Sequence, residues 1–179
     1  MARFAEDLSV VNHLSGRVHQ WELREPMVYR LRDSDPTEVA TAPPGFKTDF
    51  ASVPRPLWWW IAPWGRHGRA AIVHDFLYQL GSVTDPAAGT LRRPSKREAD
   101  RIFRHAMADL DRAILTRNLW KPLVPFRMAL AAARRWIIWA AVALFGFWAY
   151  KKEQRKGTAP PLEHEMLEDV VKLVEAKAP

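Results

Sequence analysis

The chain contains no cysteine among its 179 residues. Neither a disulfide framework nor a thiolate metal site can therefore form, and the redox compartment stays undetermined. An apolar run of membrane-spanning length is also missing. The longest run, residues 136–150, has fifteen residues between two basic pairs, whereas a spanning helix needs about 20. We read this run first as a buried helix and second as an interfacial helix. The first residues carry Glu6 and Asp7 without a long apolar stretch, so no secretory signal peptide is expected.

Basic residues outnumber acidic ones, 27 to 20, which gives a formal net charge of +7. This charge favours anionic partners, namely phospholipid headgroups, nucleic acid or an acidic protein surface. No recognised nucleic-acid-binding signature accompanies it, so we favour a membrane surface or a protein scaffold over nucleic acid. Nine tryptophans among basic residues suit a membrane interface, where ring and cation lie together at headgroup depth. A tryptophan-rich core is the alternative.

The hydrophobic pattern predicts an α+β fold, in which a small antiparallel β region is followed by antiparallel helices. The predicted strands cover residues 17–23, 27–31 and 38–41, and the predicted helices cover residues 68–80, 95–111 and 126–150. Ser95 followed by Glu98 has the form of a capping box and marks the start of the second helix. Residues 81–94 are expected to be a loop, long enough to let the first two helices run antiparallel.

The chain is expected to divide into a single α+β domain and a short extension. The domain covers residues 1–150, and residues 151–161 form a charged linker that contains glycine and proline. Residues 162–179 form a C-terminal amphipathic helix whose apolar residues recur at helical spacing. This helix is expected to dock on a partner or back on the domain.

One group of residues has the side chains needed for catalysis or for binding a cation. Residues 70–78 read Ala-Ala-Ile-Val-His-Asp-Phe-Leu-Tyr, so His74, Asp75 and Tyr78 share one helical turn. A second helix can carry Asp100 back to the same place. Such a group can hold an imidazole as general base beside a carboxylate that binds a cation. The alternative is a buried, hydrogen-bonded pair that only ties two helices together.

Three motifs in order resemble a phage and prophage family known as domain-of-unknown-function family 1353. They are Gly-Phe-Lys-Thr-Asp-Phe-Ala-Ser-Val-Pro-Arg at residues 45–55, the run at residues 70–78, and Ala-Asp-Arg-Ile-Phe at residues 99–103. The resemblance covers about residues 21–150. It implies a phage or prophage origin and carries no established activity.

The amino-acid sequence of residues 70–78 is also similar to that of the active-site helix of phospholipase A2 enzymes. The short distance to Asp100 is closer to the cysteine-free phospholipase A2 domain of parvovirus capsid proteins. This resemblance implies that His74 activates a water molecule, that Asp100 orients the imidazole, and that Tyr78 braces Asp100. It also implies that Asp75 binds calcium, which would polarise the ester carbonyl. Because calcium takes six to eight oxygen ligands, Asp49 is a further candidate ligand.

The chain departs from the phospholipase pattern ahead of the helix, where those enzymes have a glycine-rich calcium loop. Residues 56–63 contain no glycine, and the next one is Gly65. We therefore expect a phage-encoded virion or tail-associated structural protein that carries a phospholipase-A2-like His-Asp…Asp site. The alternative is an active, calcium-dependent lipid hydrolase that acts on the host envelope during entry or lysis, so enzymatic activity is left open.

The expected partners are phage structural proteins and an anionic membrane surface, and oligomerisation is left open. The expected location is the virion, or the host cytoplasm during infection, with peripheral membrane contact. There are three weaker interpretations: Ser52 as a nucleophile, a zinc site from His67, His74, Asp75 and His105, and a phosphohydrolase site from His67, His74, Asp75 and Asp100.

Overall fold

The computed structural model describes residues 4, 8–15, 18–31, 38–48, 67–79, 82–85, 88–117, 123–155 and 172. These residues form β-strands first and long helices later along the chain. The strands are β1 (Val10–Ser15), β2 (Val18–Leu23), β3 (Met27–Arg30), β4 (Val39–Ala42), β5 (Lys47–Thr48), β6 (Val83–Asp85) and β7 (Thr90–Arg92). The helices are α1 (Gly68–Gln79), α2 (Lys96–Arg117) and α3 (Val124–Arg155).

The strands form two antiparallel sheets, one with the order β1-β2-β5 and one with the order β3-β4-β6-β7. In the first sheet, β1 and β2 pair from Val10 opposite Leu23 to Ser15 opposite Val18. In the second sheet, β3 and β4 pair from Met27 opposite Ala42 to Arg30 opposite Val39. Five of these seven strands precede α1, and the described residues combine two antiparallel sheets with three helices, so the predicted α+β class is confirmed.

The segment expected to be a loop between α1 and α2 contains a hairpin instead. β6 and β7 pair along their three residues, from Val83 opposite Arg92 to Asp85 opposite Thr90. The backbone N–H of Ala88 donates a hydrogen bond of 3.2 Å to Oδ1 of Asp85, and Gly89 has a φ of +62°. The prediction of a plain loop was wrong because three-residue strands are too short to show a two-residue period.

Two of the helices extend beyond their predicted ends. α2 begins after Ser95, whose Oγ accepts a 3.2 Å hydrogen bond from the backbone N–H of Glu98, as the capping box predicts. It ends at Arg117 rather than residue 111. α3 ends at Arg155, so the first residues of the predicted linker are helical. The rest of that linker and, except for Lys172, the predicted C-terminal helix lie outside the described residues.

α1 lies at the centre of the fold, and it is buried on nearly every side. Its apolar residues Ile72, Val73, Phe76 and Leu77 are all 1% exposed or less. The ring of Phe76 meets that of Phe46, next to β5, edge to face at 5.8 Å. A helix covered on all sides needs no amphipathic pattern. Its polar side chains therefore lie inside the core, where they need partners.

α3 packs on α2 through one face only. Ala131, Ile138 and Val142 are buried on that face, whereas Ile137 is 52% exposed and Leu144 is 73% exposed. The first interpretation of residues 136–150, a buried helix, therefore holds for one face of the helix and not for the other. None of the helices that the structure describes has the length and apolar content needed to cross a membrane.

Candidate active site

His74 of α1 and Asp100 of α2 meet across the two helices. Nε2 of His74 lies 3.1 Å from Oδ1 of Asp100, and both residues are buried, with exposed fractions of 1% and 3%. An ionised carboxylate only accepts hydrogen bonds, so the contact assigns the proton to Nε2. The other ring nitrogen, Nδ1, is then the one that can accept a proton.

Asp100 receives two further donors, which complete its surroundings. The hydroxyl of Tyr78 donates a 2.5 Å hydrogen bond to Oδ1, the oxygen that also faces His74. The ammonium of Lys96 donates a 2.7 Å hydrogen bond to Oδ2 and reaches the backbone carbonyl of Ala143 on α3 at 3.1 Å. Asp100 therefore links α1, α2 and, through Lys96, α3.

The imidazole of His74 lies between aromatic rings. Its centroid is 4.0 Å from the ring of Tyr78 and 4.8 Å from that of Phe103. Nδ1 lies 3.9 Å from Oδ1 of Asp75, which is beyond hydrogen-bond length. The ring is thus fixed by packing and by Asp100, and its second nitrogen is not joined directly to a carboxylate.

Asp75 is held from the sheet side of the core. The hydroxyl of Thr48 on β5 donates a 2.5 Å hydrogen bond to Oδ2 of Asp75, which is 3% exposed. Calcium takes six to eight oxygen ligands. No group of three or more His, Asp or Glu residues among the described ones could hold a metal ion. Asp49, the other predicted ligand, lies outside the described residues, so the described residues by themselves do not fit a calcium shell.

The residues predicted for a zinc site and for a phosphohydrolase site do not form a common site. Both sets need His67, but its Nε2 lies 3.0 Å from Oδ1 of Asp111, a residue that belongs to neither set. Asp111 is fully buried and also accepts a 2.6 Å hydrogen bond from Arg135 of α3. All members of both sets are described residues, and these interpretations were therefore wrong. Ser52 lies outside the described residues.

The environment shifts the pKa values of the three central groups. Burial acts to lower the pKa of His74, but the hydrogen bond that His74 donates to Asp100 and the proximity of the Asp75 and Asp100 carboxylates raise it above 6.5 overall. Burial acts to raise the pKa of Asp100, but hydrogen bonds from His74, Lys96 and Tyr78 lower it below 3.8. Burial and the bond to Asp100 raise the pKa of Tyr78. At neutral pH, Asp100 is therefore an anion and Tyr78 a donor.

The sequence interpretation identified His74, Asp75, Asp100 and Tyr78, and the structure brings these four residues together. It overlooked Lys96, although the four-residue spacing to Asp100 on one helix is a readable signal. It also overlooked Thr48, whose role depends on a contact between residues 27 positions apart. Thr48 lies within the motif at residues 45–55, but the motif alone does not indicate which side chain Thr48 contacts.

Comparison with known proteins identifies the family but not an activity. Residues 21–121 match the family described as a protein of unknown function, DUF1353. The match includes α1 and α2, and thus all four residues of the predicted site, and it ends before α3 begins at Val124. No curated protein and no solved structure matches the chain. The chain therefore belongs to the DUF1353 family of proteins of unknown function.

Proposed function

We propose that the protein is a phage-encoded lipid-ester hydrolase in which His74 is the general base. One observation carries the proposal. Nε2 of His74 is bonded to Asp100 at 3.1 Å, while Nδ1 stands 3.9 Å from Asp75 and can accept a proton. An imidazole oriented by a carboxylate in this way is a common means of activating water. The substrate class, a phospholipid ester, rests on the similarity of residues 70–78 and Asp100 to phospholipase A2 enzymes.

The chemistry assigned to these residues is a proton cycle. Nδ1 of His74 takes a proton from water as the water oxygen bonds to the ester carbonyl carbon. Asp100 stabilises the imidazolium that forms, and Tyr78 and Lys96 hold Asp100 in place. The carbon–oxygen bond to the leaving alcohol then breaks, and Nδ1 returns its proton to that oxygen. The products are a fatty acid and the alcohol.

A second candidate is a non-catalytic virion or tail component, which is favoured by the burial of the same residues. His74 is 1% exposed, and Asp75 and Asp100 are each 3% exposed. Their bonds join β5, α1 and α2, and Lys96 extends the network to α3. A buried polar network of this kind also serves to fix one arrangement of helices. In this candidate the partners are phage structural proteins.

The experiment that separates the two candidates measures fatty acid released by the purified full-length chain. Vesicles of phosphatidylglycerol and of phosphatidylcholine are incubated with the protein, with calcium and with a chelator. The hydrolase proposal predicts release above a protein-free background, and the comparison with chelator shows whether calcium is needed. Absence of release from both lipids with calcium, magnesium or zinc supports the second candidate.

A further inference from the structure

The outward face of α3 is a continuous row of exposed apolar side chains. Leu130, Ile137 and Leu144 recur every seven residues, which places them on one side of a helix. Their exposed fractions are 56%, 52% and 73%, and Phe126 and Phe147 extend the row at 65% and 44%. We use the name outward face for these five residues. Contiguous exposed apolar side chains of this kind often mark interaction sites on folded proteins.

The fold itself does not need the outward face. The opposite side of α3 supplies the residues that pack on the domain, namely Ala131, Ile138 and Val142. α3 also lies beyond the part of the chain that matches the family, which ends at residue 121. The outward face therefore lies outside the region that matches the family.

The charged residues of α3 up to Lys152, and of the segment that leads into it, have one sign. Residues 112–152 contain no aspartate or glutamate, and their eight basic residues are Arg112, Arg117, Lys121, Arg127, Arg134, Arg135, Lys151 and Lys152. Arg135 is paired with Asp111. Arg127 and Arg134 are both exposed, and each is one helical turn from a member of the outward face. The surface therefore combines apolar area with positive charge.

Charge complementarity favours an anionic surface over a second copy of the helix as the occupant of this face. A second copy of the helix would match the seven-residue spacing, but paired helices align opposite charges beside their apolar seam. Two copies would align basic residues on both sides of the seam, and residues 112–152 contain no acid to oppose them. An anionic surface meets the same residues favourably.

Aromatic rings with cations stacked on them border the outward face. The guanidinium of Arg104 lies 4.7 Å from the ring centre of Trp136, which is 54% exposed, and Nζ of Lys151 lies 4.4 Å from that of Phe147. Such ring and cation pairs suit the headgroup depth of a bilayer. A cavity of about 390 Å³ lies on the Arg104 side and is lined by Arg97, Arg101 and Arg104 together with Ser95, Glu98 and Trp139.

We infer that the outward face of α3 binds the surface of an anionic phospholipid bilayer, with Arg127 and Arg134 contacting headgroup phosphates. The helix lies in the interface plane, and its apolar row enters the boundary of the acyl chains. This inference goes beyond the proposed function, because it concerns binding rather than turnover and uses no residue of the His74 site.

The test is co-sedimentation of the full-length chain with vesicles. Binding to phosphatidylglycerol vesicles is compared with binding to phosphatidylcholine vesicles. We expect binding to the anionic lipid only, and Leu130→Ser with Ile137→Ser should weaken it about tenfold or more, since two large apolar side chains no longer enter the bilayer. The matched control is Ile114→Ser, which removes an apolar side chain of α2 that is 37% exposed. The double variant Arg127→Ala with Arg134→Ala should also lose binding, whereas Arg24→Ala should not.

Three outcomes overturn the inference. The wild type binds neither lipid, or it binds both equally, or the Leu130 and Ile137 variants retain full binding. Light scattering after gel filtration adds an independent check. A wild-type dimer that Leu130→Ser with Ile137→Ser converts to a monomer would assign the outward face to a second copy of the chain. Because binding is read without turnover, a failed hydrolase assay leaves this test intact.

Discussion

Gly146 of α3 lies directly against the hydroxyl group of Tyr78. A Cβ atom built on Gly146 would stand 2.9 Å from the hydroxyl oxygen of Tyr78 and 3.4 Å from its ring. The absence of a side chain at Gly146 therefore lets α3 approach the group that donates to Asp100. α3 lies beyond the matched part of the family, yet it closes one side of the candidate site.

Replacing Gly146 with alanine tests this contact. In the interior of a helix, alanine is favoured over glycine by roughly 0.5–1 kcal/mol. Here we expect Gly146→Ala to lower the free energy of unfolding by about 1–3 kcal/mol, since the added methyl group displaces Tyr78. Urea denaturation measures the change. The loss should shrink in a Tyr78→Phe background, which lacks the nearest oxygen, and a gain in stability in the wild-type background would contradict the contact.

Two threonines on neighbouring sheets offer a matched pair of isosteric changes. The Thr48 hydroxyl donates to Asp75, whereas the buried Oγ1 of Thr41 has no hydrogen-bond partner among the described residues. Thr48→Val should cost about 1–3 kcal/mol because the Asp75 carboxylate loses a buried donor. Thr41→Val should be neutral or stabilising in the same thermal unfolding measurement. Equal effects of the two changes would contradict the role assigned to Thr48.

The shifted pKa values predict how stability depends on pH. The folded-state pKa of His74 lies above 6.5, so its contribution is fully present below that pH and is lost as the pH rises through the folded value. The folded-state pKa of Asp100 lies below 3.8, so its contribution is present above that pH and is lost as the pH falls through the folded value. The fold therefore loses stability at high pH, where His74 is deprotonated, and at low pH, where Asp100 is protonated.

The contribution of His74 is measured by comparing the wild type with His74→Gln. The free energy of unfolding of each protein is determined between about pH 5 and pH 9. The gap between the two proteins should be largest near the acid end and should narrow as the pH rises. Parallel curves over the whole range would show that His74 does not titrate with the raised pKa. Groups that do not interact with His74 titrate alike in both proteins and cancel in the difference.

The candidate site was easier to predict from the sequence than the sheets around it. His74, Asp75 and Tyr78 lie within one helical turn, so their proximity follows from helix geometry alone. Asp100 follows from the spacing of the next helix. The hairpin of β6 and β7 and the contacts of Thr48 and Gly146 depend on segments that are distant in the sequence or too short for a period. Such contacts depend on tertiary packing and cannot be predicted from the local sequence pattern.

The outer side of α3 shows a different limit of sequence interpretation. The apolar residues of this helix occur all around it, which is typical of a buried helix. The structure buries Ile138 and exposes its neighbour Ile137, because only one side meets α2. When a helix is apolar on all sides, its sequence does not show whether the second face packs within the domain or is left exposed for a partner.

The most direct test of the central claim compares two buried histidines as catalysts. His74 and His67 each contact a buried aspartate, at 3.1 and 3.0 Å, so changing either to glutamine removes a similar interaction. Fatty acid release from phosphatidylglycerol vesicles is measured for both variants after circular dichroism shows that each is folded. We predict that His74→Gln lowers the rate by about 10²–10⁴-fold and that His67→Gln leaves it within a few-fold of the wild type. Release by His74→Gln at the wild-type rate, or its absence in the wild type, would contradict the assignment of His74 as the general base.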